Sequence, residues 1–303
     1  MDLLKRCLFQ LVPVEGSCHV QMSGGEPTLV PDLIETAAQT LKKERPHASM
    51  GIQTNATLLD RSLVRMFAKY NIQVGVSLDG PVEVQERLRG HAVKTLKGLK
   101  LMESENVPFR VTTVVSNGSV ATLDKLVLML GGFKNGRGIG LDLLIDKGNA
   151  PTNNTVSRAT LSQTAEGISR MMVALKMVNG NRRLKLALRE EDAVKRALQG
   201  KTSARFCHAG SGESVVVCPD GSLYPCSQTA GDSRFFMGTL SKPEMARAGF
   251  LSEFALSSDD CESCGLFNRC PGDCHSRQYY NDPEARRLIC TVYQTIMNGR
   301  TVK

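Results

Sequence analysis

Ten cysteines punctuate this 303-residue chain, and eight of them lie between Cys207 and Cys290. Four form a dense array, Cys261-x2-Cys264-x5-Cys270-x3-Cys274. Upstream, Cys207 is followed by thirteen residues and then Gly221-x4-Cys226; downstream, Cys290 closes the set. Thiolates are soft ligands that suit zinc and iron–sulfur clusters. Seven ligands exceed the four of one closed tetrahedral site, so two centres are the economical reading. Spacing alone favours iron–sulfur and leaves zinc staples as the alternative. Cys218 is the weaker ligand candidate, because alternation over 214–218 can place it in a hairpin core; Cys7 and Cys18 read as buried apolar residues.

A second set of chemistry-bearing residues is Gly24-Gly25-Glu26, Thr54-Asn55, Ser77 and Asp79. What places them is an alternation of apolar β-type runs and amphipathic stretches. Strands are predicted over 19–22, 50–53, 72–78, 109–115 and 139–145. Helices are predicted over 31–44, 58–69, from 82 to about 104, over 121–130 and over 159–178. In 31–44, Leu33, Ile34, Ala37, Ala38 and Leu41 have helical spacing, and Pro31 sits where its missing N–H costs nothing. Five β-α units in succession predict a parallel sheet with helices outside, whose ligands gather at the carboxyl ends of the strands. The second set falls at or just past those ends. After about residue 205 a hairpin is predicted around Pro219-Asp220-Gly221. Beyond it helical periodicity thins, and the region is expected to be held by metal rather than by a core. A domain boundary is expected near residue 200, dividing 1–200 from 201–303.

Apolar residues make up 41% of the chain, enough for a core. No apolar run approaches the ~18–20 residues of a membrane span. The start carries Asp2 before its basic residues, Gln10 within its apolar run and Glu15 ahead of Cys18, which makes a poor export or lipidation signal. A cytoplasmic protein with reduced thiols is expected. The formal charge of +8 is dispersed and Trp is absent, which disfavours nucleic acid. Residues 181–206 hold eight basic side chains, including Arg182, Arg183, Lys185, Lys201 and Arg205. They read either as a solvated helix face or as a surface for an acidic partner such as a leader peptide.

The cysteine pattern from Cys207 to Cys290 resembles the seven-cysteine SPASM domain of radical S-adenosylmethionine (SAM) enzymes, among them peptide maturases and anaerobic sulfatase maturases. Gly24-Gly25-Glu26-Pro27 resembles the GGEP motif of that family, 53–59 its third-strand end and Ser77-Leu78-Asp79-Gly80-Pro81 its fourth. The resemblance implies a partial (β/α)6 TIM-type barrel lacking its first β-α unit, followed by a small iron–sulfur domain. It implies SAM contacts at Gly24, Gly25 and Glu26 for the amine, and at Ser77 and Arg89 for the carboxylate. It implies two auxiliary [4Fe–4S] clusters, one on Cys207, Cys226 and Cys274, the other on Cys261, Cys264, Cys270 and Cys290. The fourth ligand that some members supply six residues before the first cysteine is Lys201 here, which leaves an open iron or brings in Cys218 or His208. A peptide or small-protein substrate is implied, as is an electron donor such as a flavodoxin or ferredoxin.

Two departures stand beside the resemblance. The CxxxCxxC motif that holds the family's catalytic cluster is absent from the sequence. Residues 1–18 read as the tail of a first helix plus a loop, so the chain is expected to be a shortened piece of a longer protein, with its activity in doubt. Ser227 stands where sulfatase maturases carry Asp, and serine is no competent base unaided. That points toward other peptide maturation: thioether formation, decarboxylation, epimerisation or carbon–carbon crosslinking. The alternatives are a non-catalytic metal-stapled relative and a zinc protein.

Overall fold

A computed structural model describes residues 2–148, 155–200, 206–254, 261–270 and 272–301. The chain divides into two compact units, Met1–Asp142 with Arg170–Leu188, and Leu143–Ser169 with Arg189–Lys303.

The first unit is built on six strands in chain order: β1 (Cys18–Met22), β2 (Ala48–Thr54), β3 (Gln73–Ser77), β4 (Phe109–Val115), β5 (Gly136–Leu143) and β6 (Ala187–Leu188). The β1–β2, β2–β3, β3–β4 and β5–β6 pairs are parallel. The connections contain α1 (Asp2–Leu11, before β1), α2 (Pro31–Glu44), α3 (Arg61–Lys69), α4 (Val82–Arg89), α5 (Ala92–Ser104), α6 (Leu123–Gly131) and α7 (Leu161–Gly180). Thus the α/β half-barrel is present, and β6, only two residues long, is too short for its pattern to show in sequence.

Local chemistry sets the element ends. Helix α2 buries Ile34, Ala37, Ala38 and Leu41 on one side. Helix α3 starts at Arg61 rather than at 58, because the Asp60 carboxylate caps it by accepting the Leu63 N–H at 2.8 Å. The single helix expected from 82 to 104 is two. Gly90 (φ 73°) and His91 (φ 55°) leave helical geometry between them, a break that an uninterrupted apolar period conceals.

The two faces of the sheet differ. Met50, Ile52, Val74, Val76, Phe109, Val111 and Ile139 fill the buried face. By the alternation of strand side chains, His19, Gln21, Ser49, Gln53, Ser77, Arg110 and Thr112 share the other.

In the second unit, α8 (Arg189–Leu198) is followed by the predicted hairpin, β7 (Val216–Val217) paired antiparallel with β8 (Leu223–Tyr224). A second small pair joins β9 (Gly238–Thr239) and β10 (Lys242–Pro243), and the unit ends in α9 (His275–Tyr280) and α10 (Pro283–Thr301). The expectation of a region without a core is corrected here. Tyr224, Phe235, Ala209 and Leu251 form a buried cluster, with Phe250, Phe254, Tyr279 and Tyr280 packed against it. Phe254 and Tyr279 meet edge to face at 4.6 Å, and Phe235 and Tyr279 at 4.9 Å. Helix α10 also corrects the thinning of periodicity: Ala285, Leu288, Ile289, Val292, Tyr293 and Ile296 are buried at helical spacing.

The basic run at 181–206 is neither uniformly solvated nor uniformly free. Arg182 donates to the carbonyls of Gly131 (3.0 Å), Phe133 (2.9 Å) and Gly136 (2.8 Å), closing the C-terminal end of α6. Lys195 pairs with Glu191 at 3.1 Å along α8. Lys201 and Arg205 lie outside the described residues. Replacing Arg182 by Ala should therefore cost stability, about 1–3 kcal/mol for a charged donor lost from several carbonyls. Arg183→Glu at the exposed neighbouring position should leave the urea midpoint nearly unchanged, and equal midpoints for the two variants would contradict this role for Arg182.

Candidate functional site

In the first unit the strand-end site centres on the carboxylate of Glu26. Its Oε1 accepts from the hydroxyls of Thr28 (2.5 Å) and Thr54 (2.6 Å) and from the Thr28 N–H (3.2 Å), and its Oε2 accepts from the Asn55 N–H (2.7 Å). The loop after β1 is thereby tied to the end of β2. A carboxylate offers about four lone-pair sites. Oε1 is saturated, and Oε2, with one donor, keeps capacity for a cation's N–H. Gly24 and Gly25 just before it are exposed, and a Cβ built on either would meet no atom within 4 Å. Gly24 sits at φ 134°, which side chains rarely adopt. Behind the turn, α5 comes so close that a Cβ on Gly98 would lie 2.3 Å from the Ala56 carbonyl oxygen. Thr95 of α5 donates to the Asn55 carbonyl at 3.0 Å.

Asp79 is the second anchor, and only 5% of it is exposed. Its carboxylate receives Arg89 Nε at 2.6 Å and Nη2 at 3.3 Å, together with the Val114 N–H at 2.8 Å. Its own N–H donates to Gln85 Oε1 at 2.9 Å. Arg89, proposed from sequence as a site residue, is thus held in a two-point ion pair, with Nη1 not engaged by Asp79. Ser77, at the end of β3, accepts from Gln53 Nε2 at 3.0 Å.

The polar sheet face was not picked out from sequence, although the alternation in Phe109–Val115 carries its signal. His19 Nδ1 lies 2.8 Å from Ser49 Oγ, and its Nε2 lies 3.1 Å from Gln21 Oε1. Glycines make room for these side chains. A Cβ on Gly75 would fall 2.2 Å from Gln53 Oε1, and one on Gly138 would fall 2.8 Å from Arg110 Nη1.

In the second unit the cysteines gather in two groups. Cys226 is near enough to Cys207 and Cys274 for their charges to interact. Cys290 interacts in the same way with Cys270, Cys261 and Cys264. Burial pushes the thiols of Cys226, Cys274 and Cys270 up, and that of Cys290 up to about 11, with neighbouring thiols adding to the shift. Anionic sulfurs packed together without a cation are unfavourable, and a metal centre relieves that cost. N–H groups already point at the sulfurs: Gln228 to Cys226 and Gly272 to Cys270, each at 3.4 Å. Among the described residues no three His, Cys, Asp or Glu side chains are gathered tightly enough for a single metal ion. A four-iron cube gives each thiolate its own iron and so needs a looser cage. Cys218 packs on the aromatic cluster, and burial pushes its thiol up. The His208 side chain is 85% exposed beside Glu213. Cys7 and Cys18 are half-buried.

Ser227 lines a cavity of about 210 Å³ with Lys147, Gly148, Gln228 and Ala230. The Lys147 ammonium donates to the carbonyls of Gln228 and Ala230 and lies 3.3 Å from the Tyr280 hydroxyl. Tyr280 in turn donates to Asp232 at 2.8 Å. Burial lowers the Lys147 pKa, while Arg234 holds the Asp232 carboxyl well below the usual carboxylate range. Lys147 fixes the backbone that follows Cys226.

Residues 12–127 match the Radical SAM superfamily. The chain is 28% identical to an uncharacterized protein of Methanocaldococcus jannaschii over 235 residues, 75% of this chain and 74% of that protein. It is 25% identical to a cysteine-type anaerobic sulfatase-maturating enzyme of Clostridium perfringens over 296 residues, 90% of this chain and 77% of the enzyme. The fold matches a solved structure of native anSMEcpe with bound AdoMet and Kp18Cys peptide, with a TM-score of 0.78 and 20% identity over 99% of this chain and 88% of that one. No helix among the described residues is long and apolar enough to cross a membrane.

Asp79→Asn should remove the buried partner of Arg89 and cost about 3 kcal/mol. Thermal unfolding checks this, and a midpoint equal to that of the parent would show that the pair anchors nothing.

Proposed function

We propose that this chain binds SAM at its strand ends and carries two auxiliary [4Fe–4S] clusters, as part of a maturase that modifies a peptide or small protein by hydrogen abstraction. The observation that carries the reading is the Glu26 carboxylate, pinned by Thr28, Thr54 and Asn55 with Oε2 still able to accept, beside two exposed glycines. In this reading Glu26 takes the SAM ammonium, helped by the backbone of Gly24 and Gly25, and Ser77 and Arg89 take its carboxylate. In such a maturase bound SAM would supply the hydrogen-abstracting radical on one-electron reduction by a catalytic cluster, whose CxxxCxxC motif this chain does not contain. Asp79 keeps Arg89 from swinging into solvent, and the polar sheet face offers donors and acceptors to substrate.

Cys207, Cys226 and Cys274 would hold one auxiliary cluster, and Cys261, Cys264, Cys270 and Cys290 the other. Held there, the clusters would supply a substrate-binding or electron-accepting site, and a flavodoxin or ferredoxin would supply reducing equivalents. The bound AdoMet and peptide of the matched structure support this reading. We assign the work to the cytoplasm, where thiols stay reduced. With Ser227 after Cys226, the substrate chemistry is peptide maturation other than sulfatase activation. Functionally, residues 1–200 handle SAM and residues 201–303 the clusters.

The test is binding rather than turnover, because the chain contains no CxxxCxxC motif. Anaerobic reconstitution should give roughly eight irons and eight sulfides per chain, as two four-iron clusters require. Colourless protein holding zinc would defeat the reading. Because Cys226, Cys270, Cys274 and Cys290 have raised pKa values, assembly releases protons. Cluster yield should therefore rise with pH from mildly acidic to mildly alkaline buffer. Calorimetric titration should show SAM binding that Glu26→Gln weakens at least tenfold, about 1.4 kcal/mol; equal affinity would remove Glu26 from the site.

A further inference from the structure

The turn after β2 holds one residue in a conformation unusual for its type. Ala56 has φ 61° and is 1% exposed. Among the described residues, the other non-glycine positions with positive φ are Asn71, His91, Asn106 and Asn268. Asn and His tolerate the left-handed region, whereas for alanine it crowds Cβ against a carbonyl oxygen. Such a residue persists only where the surrounding structure over-determines it. The Asn55 side chain closes the turn from within, its Oδ1 accepting the Thr57 N–H at 2.9 Å. Helix α5 closes it from behind. The fully buried Thr95 donates its backbone N–H to the His91 carbonyl, one turn back, at 3.0 Å. Its hydroxyl leaves the helix and reaches the Asn55 carbonyl at 3.0 Å. Three residues along the same face, a Cβ on Gly98 would lie 2.3 Å from the Ala56 carbonyl oxygen and 3.0 Å from the Ala56 Cβ. The backbone of α5 therefore rests directly on the left-handed peptide.

The turn decides where two hydrogens point. The Ala56 N–H donates to Thr54 Oγ1 at 3.0 Å, which occupies that hydroxyl as an acceptor and leaves its own proton for Glu26 Oε1 at 2.6 Å. The Asn55 N–H goes to Glu26 Oε2 at 2.7 Å. The carbonyl side of the turn is fixed by α5, and its N–H side fixes the carboxylate. We propose that Thr95 and Gly98 are positioning residues for ammonium recognition: α5 holds the Ala56 turn left-handed, and the turn aims the remaining acceptor capacity of Glu26 Oε2 at the amine of SAM. The inference rests on the reading that Glu26 takes that amine. Both residues act through Glu26 and not on the ligand. A carboxylate set in its binding pose beforehand loses less freedom when the ammonium arrives.

The experiment is a double-mutant cycle on the full chain, read by calorimetric titration with SAM. Thr95→Val keeps the bulk of the side chain and removes its donor, and it should weaken SAM binding about fivefold. Thr95→Ser, which keeps the hydroxyl, should stay within about twofold of the parent. In a Glu26→Gln background Thr95→Val should cost almost nothing further, because its effect passes through that carboxylate. Gly98→Ala, which pushes the Ala56 carbonyl away, should follow the same pattern; should it fail to fold, the Thr95 variants decide. Should Thr95→Val fail to fold, Thr95→Ala takes its place in the cycle. Parent-like affinity in a folded Thr95→Val or Thr95→Ala, with Glu26→Gln still weakening binding, overturns the proposal and leaves Glu26 in the site. So does an equal loss in both backgrounds, the mark of a role confined to packing. A parent that binds no SAM, or Glu26→Gln with parent affinity, overturns both.

Discussion

One carboxylate organises the strand ends of the first unit. Glu26 gathers the hydroxyls of Thr28 and Thr54 and the N–H groups of Thr28 and Asn55, so the loop after β1 and the turn after β2 share a single anchor. The turn is wedged from behind by α5, where Gly98 lets the helix approach the Ala56 carbonyl and Thr95 bonds Asn55. Outer helix, strand end and candidate ligand site form one mechanical path. A shift of the helix by the width of a methyl group would be felt at the carboxylate, because close-packed interiors transmit small displacements.

Asp79 repeats the principle one strand further along. A buried anion fixes the Arg89 guanidinium and the Val114 amide, so a long, flexible side chain is presented in one pose. Ordering such a chain in advance lowers the entropy lost when a ligand binds. The second unit uses a different device. Its thiols are crowded where charge is unwelcome, and a cationic centre is the natural remedy.

Much of this was legible in the sequence. The spacing of Ile34, Ala37, Ala38 and Leu41 gave α2 its bounds, and the run 109–115 gave β4. The motif residues were expected at strand ends and are found there. What escaped has physical reasons. The break between α4 and α5 depends on two backbone torsions that an uninterrupted apolar period does not reveal. The β6 pairing rests on two residues. Arg182 reads as surface charge until the carbonyls at the end of α6 are seen beneath it. The two cysteine groups interleave along the chain, Cys274 falling between Cys270 and Cys290, so spacing alone could not divide them. The aromatic cluster was hidden by a composition with only 5% aromatic residues, because that small number is concentrated in one place.

That cluster has a consequence for damage and repair. Where ions alone hold a small module together, stripping them by oxygen leaves a random coil that proteases destroy. Here Phe235, Phe254 and Tyr279 also pack edge to face, so apolar contact adds to whatever the ions supply. After an oxidative insult the emptied module should persist as a shaped vessel, open to refilling rather than condemned to replacement.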